Sequence, residues 1–138
     1  MSSSSSPAPP TVVSLLLCDQ VIDDKLTNKK SAIGLFNVIS VPRTPSVIQQ
    51  MVVLASVTEI NQRAPLELRL VRDADSEILF HTTHMVESPS PLAVIDLVFA
   101  LQGVQLSTGG PYAFELLYNG EILMRRRFQV LVRPGAAP

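Results

Sequence analysis

Three groups of residues in this chain have types and spacings that could do chemistry. His81 and His84 stand three apart in His81-Thr82-Thr83-His84. On a helix that spacing would set two imidazoles on one face as a chelating pair; on a strand it sends them to opposite faces. No nearby cysteine or carboxylate completes a metal ligand set, so the pair reads as two ordinary strand histidines. Asp19, Asp23 and Asp24 gather near Lys25, Lys29 and Lys30. The stretch lacks the alternating ligands and central glycine of a calcium loop, and Asp and Asn favour turns through their own side chains. It reads as a solvated hairpin loop, with Asp23 and Asp24 kept as candidates for cation or anion contact. Arg125-Arg126-Arg127 is the only basic run. On a strand Arg125 and Arg127 point one way, as candidates for an acidic partner, and Arg126 the other. The plainer reading is a polar outer face whose arginine stems cover apolar surface, with Glu115 and Glu121 on the preceding strand as possible partners.

Catalytic arrangements find little support. Serine, histidine and aspartate are all present, yet no Gly-x-Ser-x-Gly elbow accompanies them. Cys18 lies in an apolar strand pattern with no cationic neighbour to lower its pKa. Gly109-Gly110-Pro111 precedes a strand rather than a helix, so it does not make a phosphate loop. The expectation is no catalytic residue, no metal and no cofactor.

The elements that must position these residues read as short strands. Val12 to Ile22 and Ala32 to Val41 are β-branched and apolar, the second ended by Pro42 and Pro45. Met51, Val53, Ala55 and Val57 share one face of a third run. Leu66, Leu68 and Leu70 alternate with Glu67 and Arg69, the cleanest period of two in the chain. Ile78 to Val86, Leu92 to Leu101, Tyr112 to Leu116 and Glu121 to Val132 follow, with Pro, Gly, Asn or Asp between most of them. About eight strands and no supported helix predict an all-β fold. Its economical packing is a two-sheet antiparallel β-sandwich, immunoglobulin-like or jelly-roll. For the last hairpin, burial of Phe128, Val130 and Val132 predicts a three-residue loop, Tyr118-Asn119-Gly120, that pairs Leu117 with Glu121. A two-residue Asn119-Gly120 turn is the alternative. The three-residue loop puts Arg126 on the inner face, where it should sit near a sheet end or against a carboxylate.

Composition narrows the function classes. The 138 residues suit one domain, and charged residues are only 17% of them, well below the usual quarter. Such a surface favours association or a covered face. The net charge of −1 offers no basic footprint for phosphates, so no nucleic-acid partner is expected. One cysteine permits no internal disulfide. Leu15-Leu16-Leu17-Cys18 resembles a lipobox, but residues 1–10 hold no Lys or Arg, and Leu17 stands where a cleavage site wants a small residue. No apolar run reaches 18 residues. The expectation is a cytoplasmic, unlipidated protein without a membrane partner. Its division is a disordered Ser/Pro leader over 1–10, a folded domain over 11–133 and a short flexible tail over 134–138.

Two stretches carry a resemblance. Leu15-Leu16-Leu17-Cys18-Asp19-Gln20-Val21 leads to Ile33-Gly34-Leu35-Phe36-Asn37-Val38-Ile39; Gly110-Pro111-Tyr112-Ala113-Phe114-Glu115-Leu116 leads to Asn119-Gly120-Glu121 and Arg126-Arg127-Phe128. Together they resemble a family of short uncharacterised bacterial proteins, a domain of unknown function. The resemblance implies an all-β fold and a bacterial origin and brings no activity. The functional expectation is therefore a non-catalytic binding or assembly module acting through a sheet face or edge. Its partner is protein, either itself as a homo-oligomer or another chain of an assembly. The alternative is a small enzyme with a shallow site near His81, Asp96 or the Asp19–Asp24 loop, or a sandwich that binds an anion or carbohydrate.

Overall fold

The computed structural model describes residues 8–135. Ten strands follow one another: β1 (Thr11–Cys18), β2 (Gln20–Asp24), β3 (Lys29–Ile33), β4 (Val38–Val41), β5 (Ser46–Thr58), β6 (Ala64–Arg72), β7 (Glu77–Val86), β8 (Ile95–Leu106), β9 (Gly110–Tyr118) and β10 (Glu121–Val132). No helix occurs among the described residues. The fold is all-β, in three sheets: β1-β5-β8, β4-β10-β9-β6-β7, and a separate β2-β3 ribbon. All pairings are antiparallel except β4 with β10. The expected leader falls largely on residues 1–7, outside the described residues; within the rest of it Pro10 is already buried. Of the expected tail, 136–138 also lie outside them.

One buried cluster draws on both larger sheets. Leu15, Leu17, Met51, Val53, Ala55, Val57, Phe99 and Leu101 come from one, and Leu66, Leu68, Leu70, Tyr112, Phe114, Leu116, Phe128 and Val130 from the other. The alternation expected in β5 and β6 is what places these residues, because successive strand side chains take opposite faces. Phe128 is the hub. Its ring lies 5.6 Å from those of Tyr112 and Phe114, both nearly parallel to it, and 6.0 Å edge-on from Phe36. Along β5 and β8 the inward face switches. Leu101 and Met51 are a buried pair, but beyond them Val104 opposite Ile48 and Leu106 opposite Ser46 turn inward. The switch occurs at Gly103, whose φ of 64° suits glycine.

The strand count differs from the expected eight because two apolar runs are each divided. The run from Val12 to Ile22 breaks at Asp19. There the backbone N–H bonds to Ile33 O at 3.0 Å and Gly34 O at 3.1 Å, and the chain leaves the main sheet as the ribbon. The run from Ala32 to Val41 breaks at Gly34, which has a φ of 74°. An added Cβ there would collide with the Asp19 carboxylate. The eighth strand starts at Ile95 rather than Leu92.

The last hairpin also departs from expectation. Tyr118 pairs with Glu121 across a two-residue turn, with φ of 50° at Asn119 and 79° at Gly120, the left-handed values of a type I′ turn. A bulge between Ile122 and Met124 then restores the inward face. Phe128 lies opposite Tyr112, and Arg126 lies opposite Phe114. The inward Arg126 meets no carboxylate among the described residues. Its guanidinium donates to Leu15 O at 3.2 Å and Asn37 Oδ1 at 2.9 Å, tying β10 to β1 of the other large sheet.

Candidate functional site

The outer face of the five-stranded sheet is where Arg125 and Arg127 lie, and both are occupied there. Arg125 holds the Asp73 carboxylate, and its Nε stands 3.4 Å from Glu115 Oε2; Arg127 Nε stands 3.6 Å from the same Asp73. Glu115 also faces Arg69 Nε at 3.9 Å, and Glu67 lies 4.0 Å from that nitrogen and 3.9 Å from His81 Nδ1. Three arginines thus face three carboxylates in a ladder across β6, β9 and β10. Such a face has no surplus positive charge for an anion. Glu115 was identifiable in the sequence as a partner. Asp73 and Arg69 were not, because they reach the arginines only through the pairing of β6 with β9. Glu121, exposed at the turn, makes no ion pair among the described residues.

Asp23 and Asp24 sit in the β2-β3 ribbon, a different sheet from the arginines. Asp23 is opposite Lys30, with 4.0 Å between carboxylate and ammonium, and Asp24 is opposite Lys29. Asp24 Oδ1 accepts the N–H of Leu26 at 2.9 Å, the local side-chain bond that suits Asp to a turn. His81 and His84 do point to opposite faces. His84 stacks on Phe99 of β8 with ring centres 4.4 Å apart, whereas His81 stands on the outer face beside Glu67. Asp96 accepts the Ser56 hydroxyl at 2.6 Å. His81, Asp96 and the Asp19–Asp24 segment therefore lie on three separate sheets and form no common site. Among the described residues no three His, Cys, Asp or Glu side chains gather as metal ligands would.

Two further features could serve recognition. A groove of about 710 Å³ opens between β4 and the first half of β5, lined by Leu35, Val38, Val47, Ile48, Gln50 and Asp19 among others. It exists because β1 pairs with β5 only from Val52 onward, leaving Ser46 to Met51 without a hydrogen-bonded strand on that side. Gln50 Nε2 closes one end on Asp19 O at 3.1 Å. The second feature is the opposite side of the molecule, where β7 ends one large sheet and β8 ends the other. These two strands, of 10 and 12 residues, contain no Lys, Arg or Pro, and their only carboxylates are Glu77 and Asp96. Among the described residues, apart from its ladder with β6, β7 makes one backbone hydrogen bond, Glu77 N to Asp75 Oδ1. Ile78, Phe80 and Met85 are exposed along it. The β1 edge is different: Arg126 and the Phe36 N–H cover its Leu15 and Leu17 carbonyls.

Cys18 is buried at the end of β1, its thiol 3.6 Å from Val52 O. Burial and then the Asp19 charge push its pKa up, which suppresses the reactive thiolate. Asp75 is held below its ordinary value by the Arg72 guanidinium and the Glu77 N–H, all of them at the surface. No helix in the described residues is long and apolar enough to cross a membrane.

Comparison with known proteins adds a likeness of shape. No curated protein matches the sequence. Among solved structures, the Pseudomonas fluorescens alkylpurine DNA glycosylase AlkC, bound to DNA containing an abasic site analog, is similar over 91% of this chain with a TM-score of 0.54 and 10% identity. The matched part is 31% of that enzyme's length, and the likeness is one of fold alone. At the level of sequence, the model of the Family of unknown function (DUF6941) matches residues 13–131, and the chain belongs to that family.

Proposed function

We propose that this chain is a non-catalytic, cytoplasmic protein-association module. Its frame is an immunoglobulin-like two-sheet sandwich, with the β2-β3 ribbon as an insertion. Two observations support that frame. Both large sheets feed one core, and Tyr112, at the start of β9, donates its hydroxyl to Thr108 O four residues upstream at 2.7 Å. A tyrosine placed in this way is a hallmark of immunoglobulin-like corners.

The observation that carries the functional reading is the bare β7/β8 side. Unpaired strand edges recruit other strands, and soluble proteins blunt them with lysine, proline, bulges or covering loops. Here two neighbouring edges carry no Lys, Arg or Pro over their 10 and 12 residues, and the bulge on β7, at Leu79, lies near its start and leaves Phe80 to Val86 regular, while Ile78, Phe80 and Met85 are exposed on β7. A partner that adds a strand would satisfy the open backbone groups and cover these side chains. The test is a photo-crosslinking amino acid placed at Thr83 on β7 or, as a control, at the exposed Thr27 of the ribbon, in extract of the native host. Protein adducts from Thr83 and none from Thr27 are expected; no adduct from Thr83, or equal adducts from both, would defeat the reading.

The β4–β5 groove favours a second reading, a recess for a small apolar ligand, since a volume of about 710 Å³ lined mostly by apolar side chains falls within the usual range for ligand sites. Saturable quenching of an apolar dye that is lost in Ile48→Asp would support it.

A further inference from the structure

We infer that the β7 edge pairs with β7 of a second copy of this chain, antiparallel, about a two-fold axis passing at Thr83. The inference rests on the edge-binding reading above and names its partner. Its first basis is the shape of the edge. Leu70 pairs with Phe80 but Val71 pairs with Ile78, so Leu79 is an extra residue and the regular edge begins at Phe80. It ends at Val86, before Pro89 and Pro91. The midpoint of Phe80 to Val86 is Thr83, so an axis there uses the whole regular edge.

The second basis is the side chains that each register would oppose. When one sheet continues into another across a two-fold axis, residues of like face meet, and the axis passes at a residue. At Thr83, threonine meets threonine, Thr82 meets His84, His81 meets Met85, and Phe80 meets Val86. Threonine pairs and aromatic–β-branched pairs are favourable cross-strand neighbours. Glu77 and Glu87 fall outside the paired stretch. An axis at Thr82 would shorten the regular pairing to Phe80–His84, one at His81 would shorten it further and oppose two His81 side chains, and one at His84 would oppose two His84 side chains and shorten it to Thr82–Val86. The Thr83 register is therefore the one that uses the whole regular edge and opposes compatible side chains throughout. His84 inside and the outer charge ladder are left undisturbed, because pairing uses only the free backbone groups of β7.

The test uses the purified full chain. Sedimentation equilibrium at micromolar concentrations should give twice the 15.0 kDa chain mass. Thr83→Lys, a substitution at an exposed position, should give the monomer mass with unchanged circular dichroism. Thr83→Cys should form a disulfide-linked dimer under mild oxidation, because opposed Cα atoms about 4.5–5.5 Å apart lie within disulfide reach; Thr27→Cys should not. A wild-type monomer, a dimer unaffected by Thr83→Lys, or linkage that is as fast at Thr27 as at Thr83 would overturn the inference. Photo-adducts from Thr83 in host extract alongside a purified monomer would leave edge binding standing and remove only the second copy; neither adducts nor a dimer would remove both.

Discussion

Glu115 is the side chain whose loss should cost the outer face most. It is 9% exposed, on the central strand β9, with Arg69 on one neighbouring strand at 3.9 Å and Arg125 on the other at 3.4 Å. At an effective dielectric constant of 20, the two attractions come to about 4 and 5 kcal/mol. Withdrawing the carboxylate from water takes back several kcal/mol. Each arginine also keeps a second carboxylate, Glu67 for Arg69 and Asp73 for Arg125. Glu115→Gln should therefore destabilise the fold by about 2–3 kcal/mol, because Arg69 Nε, already without a hydrogen bond, would lose its nearest carboxylate. Urea unfolding followed by circular dichroism measures this as a lower midpoint at constant slope. Asp75→Asn, on an exposed carboxylate, serves as the comparison and should move the midpoint little at neutral pH. If Glu115→Gln is tolerated as well as Asp75→Asn, the ladder is decoration and does not hold β6, β9 and β10 together.

Phe128→Ala should cost about 3–5 kcal/mol, read as a loss in melting temperature, since the ring contacts three other aromatic rings. Cys18 should react with a thiol reagent only at the rate of unfolding at pH 8, because its thiol is buried and its pKa raised; fast reaction of the native protein would contradict the burial. Asp75 has a folded pKa below 3.8, so its contribution to stability is present above pH 3.8 and is lost as pH falls through the folded value. Asp75→Asn should accordingly flatten the acid limb of the stability curve below pH 4 and leave the limb above pH 5 unchanged.

The sequence made the strands legible wherever one face is buried and the other wet. Leu66, Leu68 and Leu70 against Glu67 and Arg69 define β6 without ambiguity, and β10 has the expected limits. The breaks at Asp19 and Gly34 were hidden because both lie inside apolar runs, and a contact between two loops decides them. The last hairpin shows another limit. Burial was expected of Phe128, Val130 and Val132; the first two are buried and Val132 is exposed at the strand's end, and a bulge at Leu123 supplies the odd residue that a longer turn would have supplied. Side-chain pattern fixes the face and leaves open where the extra residue sits. For the candidate site, the four residues singled out, Asp23, Asp24, Arg125 and Arg127, lie within local turns or charge pairs. The bare β7/β8 side was beyond reach of sequence, since which strands end a sheet is a property of topology.

The parallel union of β4 with β10 bears on how the chain reaches its final state. Val38 to Val41 finds its partner in Gln129 to Val132, about ninety residues later, and nothing nearer in sequence pairs with it. During synthesis β4 must wait through the appearance of nearly every other strand. Contacts so distant along the chain slow folding, because loop-closure entropy is lost before they form. The waiting interval leaves the apolar Val38, Ile39 and Val41 without their β10 cover, a period in which a newborn chain is open to aggregation. Trimming the last four residues of β10 would make that transient exposure permanent.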